Sequence, residues 1–214
     1  MDWNNIHTVF LDMDGTLLDL HYDNHFWLEH VPRRYAEKHQ LEPEETKDLL
    51  ASRYGKIQGT LNWYCLDHWS EQLEMDIPSL KQEVSDRIKI RTNVEPFLDF
   101  LQQQKKQLIL LTNAHPKTVE IKFQHIAIER YFDKIITSHE IGMAKEEDGF
   151  WDKLQQKIDF NIENSLFIDD SLSVLRAAQR HNIAHLLAIH QPDSQQQAMD
   201  TEEFTAIECF RQLF

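Results

Sequence analysis

Glycine and cysteine are scarce, with five of the first and two of the second among 214 residues. The glycines stand at positions 15, 55, 59, 142 and 149, and no two have the spacing of a dinucleotide-binding loop. Gly55 and Gly59 come nearest to a phosphate-cradling loop, but Thr60 follows where such a loop needs Lys and then Ser or Thr. That excludes a nucleotide triphosphatase of this kind. The patterns GxSxG, HExxH and CxxC are missing too. Cys65 and Cys209 are far apart, and the chain opens Met1-Asp2-Trp3-Asn4-Asn5 without a charged-then-apolar leader, so a reduced, cytoplasmic setting is expected. No apolar run approaches the ~18 residues of a spanning helix, which argues against a membrane protein.

Cations are also few: 22 Lys+Arg against 36 Asp+Glu give a net charge of −14. Such a surface repels polyphosphate, and no basic run offsets it, so nucleic acid is not an expected partner. An anionic substrate would need a cation inside the site. The 41% hydrophobic content and five Trp suffice for a sizeable core, which predicts a soluble, compact chain with an insertion.

The first apolar burst, Thr8-Val9-Phe10-Leu11, ends at once in Asp12-Met13-Asp14-Gly15-Thr16. Residues 107 to 112 repeat the design with Thr112-Asn113 at the tip, and 165 to 168 repeat it with Asp169-Asp170. Shorter strands are expected at 134–137 and 186–189. Helical patterns lie between: Phe97 and Leu101; Val119 to Ile126; Phe150, Trp151, Leu154 and Ile158; Val174, Ala177 and Ala178. Strands alternating with helices predict an α/β fold with a parallel sheet, whose ligands bind at the carboxyl ends of the strands. From about 19 to 92 the pattern is helical only, as in an inserted subdomain, where Leu66, Trp69 and Leu73 share one face. Phe204, Ile207 and Phe210 at helical spacing predict a closing helix.

Asp12 and Asp14 stand one residue apart at a strand end, so both serve one site only if the backbone turns there, and Gly15 permits that. A solvated Asp-Gly turn is the bland alternative for the pair alone. With Thr112, Lys145 and Asp169-Asp170 following in order, the chain resembles the haloacid dehalogenase superfamily over nearly its whole length. The resemblance implies a Rossmannoid parallel-sheet core formed by 1–18 and 93–214, with 19–92 as a helical, C1-type cap. It implies that Asp12 is the nucleophile that becomes an aspartyl-phosphate, and that Asp14 protonates the leaving oxygen and then activates water. Thr112 would hydrogen-bond the phosphoryl group, with Asn113 beside it, and Lys145 would offset its charge. Four acids and a phosphate in one place call for a divalent cation, and Mg²⁺ fits all-oxygen donors. Its implied ligands are the Asp12 carboxylate, the Asp14 carbonyl and Asp170, with Asp169 nearby; which of the last two binds directly stays open.

Relatives that carry out dehalogenation do not keep a carboxylate at position 14, so Asp14 implies a phosphatase or mutase. No proline flanks Lys145 in Gly142-Met143-Ala144-Lys145-Glu146-Glu147-Asp148, unlike many relatives, and a surface lysine is the alternative there. Strings in the insertion, Asn24-His25-Phe26-Trp27 and Thr60 to Asp67, resemble the branch of the superfamily that hydrolyses GMP and IMP. That implies a small phosphomonoester substrate, a purine nucleoside monophosphate. Trp63, Tyr64, Phe26 and Trp27 are candidates to stack a base and Asn62 to read its edge, with core packing the alternative for each ring; Trp69 is assigned to core. Arg33, Arg34, Arg53 and Lys56 could steer phosphate or could form a solvated face. The twelve His show no zinc spacing, and His115, three residues after Thr112, is expected to cap the helix after it, with an approach to the site as the alternative. The alternatives are a phosphatase or mutase for a small sugar phosphate and a non-enzymatic binding protein.

Overall fold

Thr8–Leu11 (β1), Gln107–Thr112 (β2) and Ser165–Asp169 (β4) are almost wholly buried along their length because helices cover both faces of the sheet they form. A computed structural model of the protein describes residues 1–214. With Lys134–Thr137 (β3), His185–Ile189 (β5) and Ala206–Ile207 (β6), the strands run parallel in the order β3-β2-β1-β4-β5-β6. Side chains alternate between two cores. Val9, Leu11, Leu108, Leu110, Leu166 and Ile168 face one side, where Val94–Gln103 (α7) and Pro116–Phe123 (α8) pack. Phe10, Ile109, Leu111 and Phe167 face the other, under Phe150–Lys157 (α10) and Leu172–Arg180 (α11).

β1 lies between β2 and β4, so the direction of winding reverses at β1 and β4, where such sheets open a crevice. Leu11 is level with Leu110 on one side and with Ile168 on the other. The next residues, Asp12 and Asp169, therefore emerge side by side.

Between Leu18 and Ile90, which pair as an isolated antiparallel bridge, the chain is helical. His21–His25 (α1) continues through a widened turn at Phe26–His30 into Val31–His39 (α2). Pro32 follows the widened turn; it has no N–H to bond four residues back. Pro43–Gly55 (α3), Leu61–Tyr64 (α4), Leu66–Leu73 (α5) and Ile77–Glu83 (α6) complete this layer. α6 packs on α8, and the apolar residues of the layer join the first core.

The closing helix expected from Phe204, Ile207 and Phe210 is not formed. Ala206–Ile207 pairs with β5, where Ala188 N–H donates to Thr205 O and His190 N–H to Ile207 O, and a single 3₁₀ turn follows at Phe210–Leu213. Phe204 enters the second core while Ile207 and Phe210 enter the first. The open edge of β5 offered ladder bonds that an amphipathic helix would have left unmade.

Candidate active site

Asp12 is 5% exposed, and its Oδ1 accepts a hydrogen bond from Lys145 Nζ at 2.5 Å. The same ammonium donates to Asp169 Oδ2 at 2.6 Å and to Leu111 O at 3.1 Å. Asp169 Oδ1 accepts from the Ser171 N–H at 2.9 Å. Asp12 Oδ2 is buried with no partner. One oxygen each of Asp12, Asp169 and Asp170 lies within 4.8 Å of the others. Gly15, at φ +84°, brings the turn so close to Asp170 that a Cβ there would overlap the carboxylate. Any other residue would be strained and would displace Asp170.

The loop carrying Lys145 is fixed by hydrogen bonds in place of a proline. Asn113 Oδ1 accepts from the Lys145 N–H at 2.9 Å, and Glu147 accepts from the Ala144 N–H at 2.5 Å. Asn113 Nδ2 donates to Glu146 Oε2 at 2.8 Å, and Tyr64 O–H donates to Glu146 Oε1 at 2.7 Å. Asn113 therefore positions Lys145, and Tyr64 ties the helical layer to the same loop. Thr112 is buried, with Oγ1 accepting from the Ala114 N–H at 3.0 Å, which leaves its own O–H free to donate.

Asp14 is held differently. Its carboxylate meets Lys122 Nζ of α8, which also donates to Asp23 Oδ2 of α1 at 2.5 Å; Asp23 Oδ1 in turn accepts from Lys81 Nζ of α6 at 2.7 Å. Both lysines are fully buried. Burial pushes Asp14 up to about 6, with Asp23 and Asp12 adding to the rise and Lys122 opposing it. Burial likewise pushes Asp12 to about 7 against the pull of Lys145, and holds Asp170 well above the usual carboxylate range, helped by Asp169 and Asp12. Burial lowers the basicity of Lys145, but Asp12 and Asp169 outweigh this and raise it. Three clustered carboxylates against one ammonium leave negative charge uncompensated. A hard cation bound by oxygen donors would offset it, and the orphaned Asp12 Oδ2 is a donor without another use.

Above these groups is a cavity of about 390 Å³, floored by Asp12, Asp14, Thr112, Lys145, Asp169 and Asp170. Trp27, Leu28, Tyr54, Trp63, Leu66 and Trp69 line it from the helical layer. Trp27 and Trp63 are half-buried and keep free surface, whereas Trp69 is buried and donates from Nε1 to Trp63 O at 2.8 Å. Asn62 is exposed and outside the lining, so the helical turn that points Trp63 inward points Asn62 to solvent. Phe26 is core, with Lys81 Nζ 4.5 Å from its ring centroid. Arg33, Arg34, Arg53 and Lys56 are not in the lining, and Arg34 is spent on Glu37 and Glu83. His115 caps α8, accepting from the Lys117 N–H at 3.2 Å.

Lys122, Lys81, Asp23 and Glu146 are absent from the sequence expectation. The lysines left a trace, since Lys122 sits on the stripe Val119, Lys122, Ile126 and Lys81 on the stripe Ile77, Leu80, Lys81, Val84. A lysine on a core-facing stripe implies a buried partner. Asp23 and Glu146 left none.

Residues 6–182 match the family model of haloacid dehalogenase-like hydrolases. The GMP/IMP nucleotidases YrfG of Escherichia coli K12 and of Shigella flexneri are each 41% identical to this chain over 192 residues, 90% of this chain and 86% of theirs. Among solved structures, the HAD phosphatase from Thermococcus onnurineus superposes with a TM-score of 0.77 at 18% identity, covering 97% of this chain and 96% of that one. The L-2-haloacid dehalogenase PA0810 superposes with a TM-score of 0.65 at 13% identity, covering 98% and 100%. The fold is thus common to proteins with different leaving groups, and side chains must distinguish them.

Proposed function

Since the chain belongs to the haloacid dehalogenase-like hydrolases, we propose that it is a cytoplasmic, magnesium-dependent phosphatase that hydrolyses purine nucleoside 5′-monophosphates, with 19–92 as its cap. The observation that carries this reading is the aromatic-roofed cavity set directly over the group of Asp12, Asp14 and Lys145. The 41% identity to GMP/IMP nucleotidases supports it, and the carboxylate of Asp14 supports phosphate over halide as the leaving chemistry.

Asp12 attacks phosphorus, forming an aspartyl-phosphate as the bond to the nucleoside oxygen breaks. Lys145 holds Oδ1 of Asp12 and so fixes the orientation of the carboxylate for attack. Asp14 gives its proton to the departing oxygen; a carboxyl at about 6 is matched to that task near neutral pH. Asp14 then takes a proton from the water that attacks phosphorus, releasing phosphate and restoring Asp12. Lys145 and the Thr112 hydroxyl meet the charge on the phosphoryl oxygens. Asp12, the Asp14 carbonyl and Asp170 would hold Mg²⁺, which when bound neutralises acids and phosphate together. Asp170 is preferred over Asp169 as ligand because both oxygens of Asp169 are already engaged, by Lys145 and by Ser171.

Trp63 and Trp27 offer ring surface to a base, with stacking worth about 1–3 kcal/mol. Phosphate release from GMP, IMP, AMP, pyrimidine nucleotides and sugar phosphates at fixed Mg²⁺ tests the reading. Highest kcat/KM for GMP and IMP is expected. A preference for sugar phosphates would overturn the substrate class and keep the chemistry.

A further inference from the structure

Beside the cavity that holds the acids, and sharing His115 with its lining, a thiol and two imidazoles meet at the seam between cap and core. Cys65 joins α4 to α5 in the cap; His115 opens α8, and His139 lies in Ser138–Ile141 (α9), both in the core. One donor atom of each lies within 4.8 Å of the other two. Both ring nitrogens of His139 are buried without a hydrogen-bond partner. A neutral imidazole carries one donor and one acceptor, so this ring has both unmet, which folded interiors rarely leave unexplained. Its neighbour is the edge of His115, with centroids 4.7 Å apart and planes at 77°. The Cys65 sulfur accepts only from the His68 N–H, at 3.4 Å. On the rim, Asp67 Oδ2 stands 3.7 Å from His115 Nε2. Burial lowers the basicity of both imidazoles, His139 down to about 4, which keeps them in the neutral form that metals bind.

We propose that Cys65, His115 and His139 form a second metal site, selective for a transition ion of the zinc class, which fastens the cap to the core. A thiolate and two imidazoles suit Zn²⁺ and are poor ligands for Mg²⁺, so the two sites of the molecule differ in chemistry as well as place. Ligand bonds of about 2.0–2.3 Å require the three donors to close in somewhat, a movement within reach of side-chain rotation. Binding sends the Cys65 thiol proton to solvent. It also places the His115 ring proton on Nδ1 when Nε2 binds, giving up the bond from Lys117 N–H. Asp67 adds negative charge and a further oxygen donor on the cap side. Because Cys65 and Asp67 move with the cap and both histidines with the core, a bound ion holds the cavity shut and slows exchange of substrate and product.

The test uses the full chain in excess Mg²⁺, which occupies the acidic cluster, with Co²⁺ as spectroscopic probe. A single equivalent of Co²⁺ should bind with thiolate charge-transfer absorption, be displaced by Zn²⁺, and lose that absorption in Cys65→Ser and bind more weakly in His139→Ala. Both variants should hydrolyse substrate at the wild-type rate without Zn²⁺, and Zn²⁺ should inhibit the wild type but not Cys65→Ser. A Co²⁺ complex without thiolate absorption, or one lost in Cys209→Ser and kept in Cys65→Ser, would overturn the proposal. So would Zn²⁺ inhibition that is equal in all variants and relieved by Mg²⁺, which would place the ion on the acids. None of the binding readouts depends on which phosphate ester is the substrate.

Discussion

Replacing Lys145 by Met removes the one ammonium that touches both Asp12 and Asp169, at 2.5 and 2.6 Å. Unit charges about 4 Å apart attract by about 4 kcal/mol at an effective dielectric constant of 20, and removing one partner of a buried pair costs about 3–5 kcal/mol. Two consequences follow from the same loss. In EDTA, Lys145→Met should melt well below the wild type, because Asp12, Asp169 and Asp170 then share no counter-charge. Mg²⁺ should restore the variant more than the wild type, with about 2.7 kcal/mol available at a concentration 100-fold above its dissociation constant. The rate should not recover with it. Loss of a charged donor at the developing phosphoryl charge costs about 10²- to 10³-fold in kcat. Thermal melts with and without Mg²⁺, alongside phosphate release at saturating substrate, read both effects. A Met variant within tenfold of the wild-type kcat and equal to it in Tm in EDTA would refute the reasoning and leave Lys145 neither a catalytic nor a stabilising role.

In EDTA the protein should lose stability as pH rises from the ordinary carboxylate value of 3.8 through about 7, because the folded state raises Asp12 over that interval and so favours its protonated form; Mg²⁺ should flatten the Tm profile. Lys122→Met should lower kcat more than it raises KM and shift the limb of the pH–rate profile assigned to Asp14 upward, since Lys122 opposes the burial that raises Asp14; an unmoved limb would detach Lys122 from the proton transfer. Trp63→Ala should raise KM for GMP by a factor corresponding to about 1–3 kcal/mol while leaving KM for a small phosphate ester nearly unchanged. Equal effects on both substrates would make Trp63 a packing residue.

The strand-tip acids were legible in the sequence because parallel strands covered on both faces read as short apolar runs, and the first polar residue after each run marks its carboxyl end. Asp12, Thr112 and Asp169 could be placed at one crevice on that ground alone. The helical layer was harder to read. Helical periodicity separates the face of Leu66, Trp69 and Leu73 from the opposite one, but it does not say whether a cavity or another helix lies against that face. Hence Trp69 and Trp63 both line the cavity while Asn62, one residue away, faces solvent. The Lys122–Asp23–Lys81 chain joins α8 to the helical layer across nearly a hundred positions, a pairing no local pattern encodes, although each lysine interrupts an apolar stripe. The convergence of Cys65, His115 and His139 depends in the same way on tertiary placement of three separate elements. Phe204, Ile207 and Phe210 show the limit of periodicity in a short tail, where a spacing of three suits a helix or a strand followed by a turn, and the open edge of β5 decides.

The most direct measurement of the central claim is acid quenching of the enzyme during turnover of GMP, followed by peptide mass analysis. The account predicts one phosphoryl adduct, on the peptide containing Asp12, absent from a folded Asp12→Asn variant that no longer releases phosphate. Wild-type turnover with no adduct on Asp12, or an Asp12→Asn variant with near-normal activity, would contradict it.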